Sequence, residues 1–158
     1  MTNERAVWIA VVCTVAVLCV LLVGFGIITV LAAHLHDAAR SANETAAQAS
    51  IRTIHQAQVQ YNSLYNRFAS SVTELGPPVN GTSSAAAADL IGSDLAIGEK
   101  NGYKFAMTGN ESGYQITAVP VAFGATGSRT FYSDQTMVIR QNDGPEPATV
   151  NSQEVGLR

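Results

Sequence analysis

The chain has 158 residues, 47% of them hydrophobic and 13% charged, and twelve Asp and Glu against nine Lys and Arg leave a formal net charge of −3 at pH 7. Every Lys and Arg stands alone in the sequence, which argues against nucleic acid as a partner, because phosphate binding needs clustered cations. The two cysteines, Cys13 and Cys19, both fall in the apolar N-terminal third, so a disulfide framework is excluded for the rest; six positions apart on a helix they face different ways and read as small apolar fillers.

Residues 1–6 form a short flank with Glu4 and Arg5, and residues 7–33 form an uncharged apolar run. At about 1.5 Å per residue this run gives roughly 40 Å of helix, more than the roughly 30 Å hydrocarbon core of a bilayer, so it is expected to be a tilted single-pass anchor. A secretory signal has only about 7 to 15 apolar residues, which makes a cleaved signal the poorer reading. Gly24 and Gly26 are tolerated in such a helix, but their i,i+2 spacing is not the dimerising GxxxG pattern. Arg5 with Glu4 on one flank and Arg40 with Asp37 on the other nearly balance, so orientation rests on the short N-terminal flank staying in the cytoplasm. The C-terminal head is then expected outside the inner membrane, with Trp8 near one interface.

Residues 34–69 continue without a breaker as an amphipathic helix. Ile51, Ile54, Gln58, Tyr61, Tyr65 and Phe68 recur at steps of three and four, with Leu64 beside them, while Arg52, Gln56, Gln60, Ser63 and Arg67 form the opposite, solvated side. The stripe requires an apolar surface to lie on.

Residues 70–141 are expected to supply it as a β head. Gly76-Pro77-Pro78 and Asn80-Gly81 end the helix and open a loop. Residues 85–91 read as a short helical turn. Tyr103, Phe105 and Met107 then alternate with Lys104, Ala106 and Thr108, residues 109–113 turn, and residues 114–119 repeat the alternation. Residues 120–127 read as a loop, and 128–133 and 136–141 as two further strands around Asp134-Gln135. The fold class expected is α+β: one long N-terminal helix, transmembrane in its first half and amphipathic in its second, packed on a small antiparallel sheet of three to four strands. Residues 142–158, with Pro145 and Pro147 and no periodicity, read as a flexible tail.

Four ordered pieces carry a family resemblance: Ala42-Asn43-Glu44 with Ser50-Ile51-Arg52-Thr53-Ile54 and the helix to Tyr61; Gly102-Tyr103-Lys104-Phe105; Gly113-Tyr114-Gln115-Ile116; and Arg129-Thr130-Phe131-Tyr132-Ser133-Asp134-Gln135 with Val138-Ile139-Arg140. The chain resembles type IV pilin-like and type II secretion pseudopilin-like proteins over roughly residues 40–140. The resemblance implies a lollipop whose helix anchors the subunit in the inner membrane and later packs into a filament core. It also implies a leader cut and a glutamate near the mature N-terminus. Counting back from Ala42-Asn43-Glu44 places the cut near Val11 and Val12 and the glutamate at Ala16, while Gly24-Phe25, the one Gly-Phe pair, has Thr29 where the acid would fall. An apolar residue there cannot pair with a neighbour's amine, which moves the expectation toward permanent anchorage.

No residue stands out as catalytic, cofactor-binding or metal-binding. His34 and His36 with Asp37 diverge on a helix and read as interfacial flanks; His55 reads as a packed boundary residue. Asp134, Asn142, Asp143 and Glu146 lack calcium-loop spacing and read as solvated turns. Asn43, Asn80 and Asn110 match glycosylation acceptors, a pattern short enough to recur by chance. The expected function is a non-catalytic, membrane-anchored pilin-like structural or assembly protein, in contact with lipid and with other pilin-like subunits through the N-terminal helix. The alternative is a bitopic protein whose head binds a ligand or partner without forming filaments.

Overall fold

The computed structural model describes the backbone of residues 2–156 and the side chains of Trp8 and residues 34–156. Three helices, α1 (Thr2–Tyr65), α2 (Val72–Leu75) and α3 (Ser93–Ala96), precede six strands: β1 (Glu99–Lys100), β2 (Tyr103–Gly109), β3 (Tyr114–Pro120), β4 (Thr130–Asp134), β5 (Arg140–Asn142) and β6 (Gln153–Glu154). The chain divides into two compact units, residues 1–38 and 39–158.

The second unit is one antiparallel sheet in the order β1-β2-β3-β4-β5-β6. Its register places Phe105 opposite Ala118, Met107 opposite Ile116, and Ala118 opposite Phe131. Side chains alternate across a strand, so these residues share one face with Tyr103 and Tyr114. All of them are buried, together with Ala47, Ile51, Ile54, Ala57 and Tyr61 of α1. The helical stripe and the sheet face thus bury each other, as neither could be covered alone. The stripe begins earlier than its apolar residues suggest, since Glu44 and Ala47 are buried on the same three-four spacing, and Leu64, expected beside it, is 61% exposed.

α1 stops at Tyr65 rather than running to residue 69, because Asn66 turns to φ 53°, the left-handed conformation that Asn tolerates at a helix C-terminus. The freed segment is then held from both sides. Gln58, fully buried, donates its amide to the Ala69 carbonyl at 3.0 Å and accepts the Ala69 N–H at 2.9 Å, so its side chain replaces a missing strand partner. The short α2 is capped by Ser71, whose hydroxyl accepts from Glu74 N–H.

The expected fold needs three further corrections. The sheet has six strands, not three to four. β1 is hidden by its two-residue length, and β6 lies in residues 142–158, where Pro145 and Pro147 break any periodicity yet Ala148 is buried and Val155 packs on the core. Residues 85–91, expected as a helical turn, instead form a bridge between Ser84 and Ala87, with Ala88 and Asp89 bonded to the backbone of Glu74 and Gly76. The third concerns the long helix: among the described residues no helix is long and apolar enough to cross a membrane, the continuous stretch of α1 with described side chains being residues 34–65. The anchor expected over 7–33, with Cys13, Cys19, Ala16, Gly24 and Gly26, lies outside the described side chains.

Candidate functional site

Polar chemistry gathers at three places in the second unit, all of them along α1. The first is a clamp between the helix and the loop from Val121 to Arg129. Arg40 donates to the Gly124 carbonyl at 3.1 Å, and Asn43 donates to the Thr126 carbonyl at 2.9 Å. Glu44, one position on, is 3% exposed and accepts from the Ser128 N–H at 2.9 Å and the Ser128 hydroxyl at 2.8 Å. Its other oxygen accepts from Arg129 Nε at 2.8 Å and Nη2 at 2.5 Å. Burial alone would raise the Glu44 carboxyl, but the Ser128 and Arg129 donors outweigh it and hold the group below the ordinary glutamate value of 4.5. Residues 40, 43 and 44 share one side of a helix by their three-four spacing, which is why one surface loop can meet all three.

A glycine lets that loop approach. A Cβ on Gly127 would collide with the Tyr103 hydroxyl, which donates to the Arg129 carbonyl at 2.8 Å. Burial and the nearby Glu44 charge push the Tyr103 phenol up, keeping it a donor at any ordinary pH.

The second place is His55, buried beneath the sheet. Its Nε2 lies 2.8 Å from Ser133 Oγ and its Nδ1 lies 2.7 Å from the Tyr114 hydroxyl. The Ser133 proton is committed to the Val138 carbonyl at 2.8 Å. Ser133 must therefore accept from Nε2–H, and Nδ1 accepts from Tyr114, which defines one neutral tautomer. Burial lowers the His55 pKa against the opposing pull of Asp134. A serine and histidine at this distance resemble a nucleophile and its base, but Ser133 is 0% exposed and its proton is already donated elsewhere. The arrangement fastens β3 and β4 to the helix.

The third is Glu74 in α2, which accepts from the Ser70 hydroxyl at 2.7 Å, the Ser70 N–H at 3.1 Å and Arg67 at 3.0 Å. Tyr61 donates to the Ala85 carbonyl at 2.6 Å, with Glu74 3.0 Å away, and Arg67 lies over its ring at 5.2 Å. Burial first, then Glu74, pushes the Tyr61 phenol up to about 12. Among the described residues no buried side-chain nitrogen or oxygen lacks a hydrogen-bond partner.

The residues weighed from the sequence are not brought together. His34, His36 and Asp37 are exposed in the first unit. Asp134 closes its own turn by accepting from Thr136 N–H and hydroxyl at 2.9 and 2.6 Å. Asn142 donates to the backbone carbonyl of Glu146, while Asp143 and the Glu146 side chain are exposed. Among the described residues no group of three His, Cys, Asp or Glu side chains converges on a point. The clamp escapes a reading of the sequence, although an isolated acid, Glu44, continuing the buried stripe one turn toward the N-terminus, is the available signal. No protein-family model matches the chain, and no curated protein or solved structure is detectably similar to it.

Proposed function

We propose that the chain is a membrane-anchored, pilin-like structural or assembly protein of a type IV pilus or type II secretion-like system. The uncharged residues 7–33 hold it in the inner membrane, and the head is presented on the extracytoplasmic side. The observation that carries this reading is the clamp of Arg40, Asn43 and Glu44 on residues 124–129. A subunit that positions a head by means of its helix needs the two rigidly joined where the helix enters the head, and the clamp lies there, in the first turns of the second unit. Polar groups in the head serve such joints: each buried network ties a strand or loop to α1, as expected of a scaffold whose work is done by its surface.

Ala16, in the place where the resemblance puts a glutamate, favours a second version in which the same protein stays in the membrane as a bitopic binding module. N-terminal sequencing of the membrane-extracted protein, together with its assay in sheared surface filaments, separates the two. A mature start near Val12 or Phe25 and recovery in filaments support the assembling subunit. A Met1 start and absence from filaments overturn it in favour of the retained module.

A further inference from the structure

The dipeptide Asn-Gly occurs twice in the chain, at Asn80-Gly81 and at Asn101-Gly102. It is prone to spontaneous loss of the asparagine amide, because glycine has no Cβ to shield its backbone nitrogen from the preceding side chain. Attack requires the Asn-Gly peptide to rotate until the glycine nitrogen faces Cγ of the asparagine, so the fold decides which copy reacts.

At Asn101 the fold opposes that rotation. Asn101 and Gly102 are the two-residue connection between Lys100 and Tyr103, which pair across β1 and β2. Both sit at positive φ, 49° and 73°, as a hairpin of this length favours. The Gly102 carbonyl accepts from the Val121 N–H at 2.9 Å. The place of a Gly102 Cβ lies 2.9 Å from Thr126 Cβ and 3.3 Å from the Asn43 amide nitrogen, so this peptide is packed against the loop that α1 clamps.

Asn80 has the opposite surroundings. Residues 79–84 are exposed without a break, and among the described residues no hydrogen bond reaches residues 79–83. Gly81 has φ +82°, and nothing lies within 4 Å of the place of its Cβ. The loop is fixed only outside this stretch, where the Gly76 carbonyl accepts from the Asp89 N–H at 2.9 Å and Ser84 bridges to Ala87. A peptide without contacts, between firm ends, can turn on itself while the rest of the head stays folded.

We propose that Asn80-Gly81 is a self-modifying site of the folded head, at which Asn80 converts to isoaspartate and aspartate while its hairpin protects Asn101. The Gly81 nitrogen bonds to Asn80 Cγ, the Cγ–Nδ2 bond breaks, and the Gly81 proton leaves with the amide as ammonia. Water then opens the cyclic imide. Opening at the Asn80 main-chain carbonyl breaks its bond to the Gly81 nitrogen and leaves the chain running through the side chain, as isoaspartate. Opening at Cγ restores the ordinary backbone, as aspartate. Water is the only co-reactant, and either product adds a carboxylate to a chain of formal net charge −3. The chemistry is independent of the anchorage proposed above, and its extent records how long the head has existed.

The test incubates the full chain in detergent at mildly alkaline pH, with and without urea. A short acidic digestion after glutamate then yields residues 75–99, in which Asn80 is the single side-chain amide, and residues 100–111, which carry Asn101. Mass and chromatography resolve the amide, aspartyl and isoaspartyl forms, and fragment spectra separate Asn101 from Asn110. In the folded protein Asn80 should convert at least about tenfold faster than Asn101, the effect of about 1.4 kcal/mol of local opening at the hairpin. In urea the two should convert at similar rates. Similar rates in the folded protein overturn the proposal, as does an Asn80 that converts only in urea. The same preference for Asn80 in urea also overturns it, because local sequence rather than the fold would then choose the site. Aspartate without isoaspartate overturns the attack by Gly81, since direct hydrolysis of the amide gives that product alone.

Discussion

Replacing Glu44 gives the sharpest test of how the head is joined to its helix. The carboxylate is 4% exposed and accepts four donors, two from Ser128 and two from Arg129. Breaking one side of a buried pair costs about 3–5 kcal/mol. Arg129 keeps 28% of its side chain in water and can rehydrate, so Glu44→Ala falls at the lower end, about 3 kcal/mol. Arg129→Ala strands a carboxylate that has only Ser128 to solvate it, and costs about 3–4 kcal/mol. The double variant removes both charges, so it should be more stable than the two losses summed, with a coupling of about 2 kcal/mol. Urea unfolding of the full chain in detergent, followed by tyrosine fluorescence, reads all four proteins. Because the Glu44 pKa is lowered in the folded state, the stability it contributes is present above its ordinary value of 4.5 and is lost as pH falls below it. The cycle should therefore flatten at acid pH. Single-variant losses that simply add at neutral pH, to within about 0.5 kcal/mol, would refute the clamp.

His55 gives a second pH signature. Its folded pKa lies below the ordinary 6.5, so the unfolded chain takes up the proton first and stability declines as pH falls below 6.5; His55→Gln should abolish the decline seen by thermal melts across that window. Gly127→Ala forces the buried Tyr103 hydroxyl away from Arg129 and should cost about 1–3 kcal/mol in the same urea assay. Val155→Asp places a charge where the residue packs on the core and should destabilise the head by more than about 1 kcal/mol, although it lies in a segment that looks like a tail. Leu64→Ser, at a position 61% exposed, should change stability by less than about 0.5 kcal/mol.

What could be read from the residues alone follows the range over which their physics acts. The alternations at 103–108 and 114–119 become β2 and β3, paired from Tyr103–Pro120 to Gly109–Tyr114, because period-two burial is written locally. The stripe Ile51, Ile54, Gln58, Tyr61 is legible for the same reason. The clamp is not, since its partners lie 83 to 85 residues apart and a carboxylate on an apolar stripe normally signals the stripe's end. β6 is invisible because its two residues carry no periodicity and are held by β5, by Arg140 bonding the Ser152 carbonyl and Glu154, and by Val155 N–H bonding Ile139. The His55 tautomer likewise depends on where Ser133 sends its proton, a fact of the folded chain only.

Anchorage with an exported head is the central claim, and protease accessibility in intact spheroplasts, read alongside alkaline-carbonate extraction of their membranes, tests it most directly. An anchored chain with its head outside should resist carbonate extraction, and externally added protease should remove the head while a fragment containing residues 7–33 stays with the membrane. Release of the intact chain by carbonate, or a head protected until the spheroplasts are lysed, would contradict it.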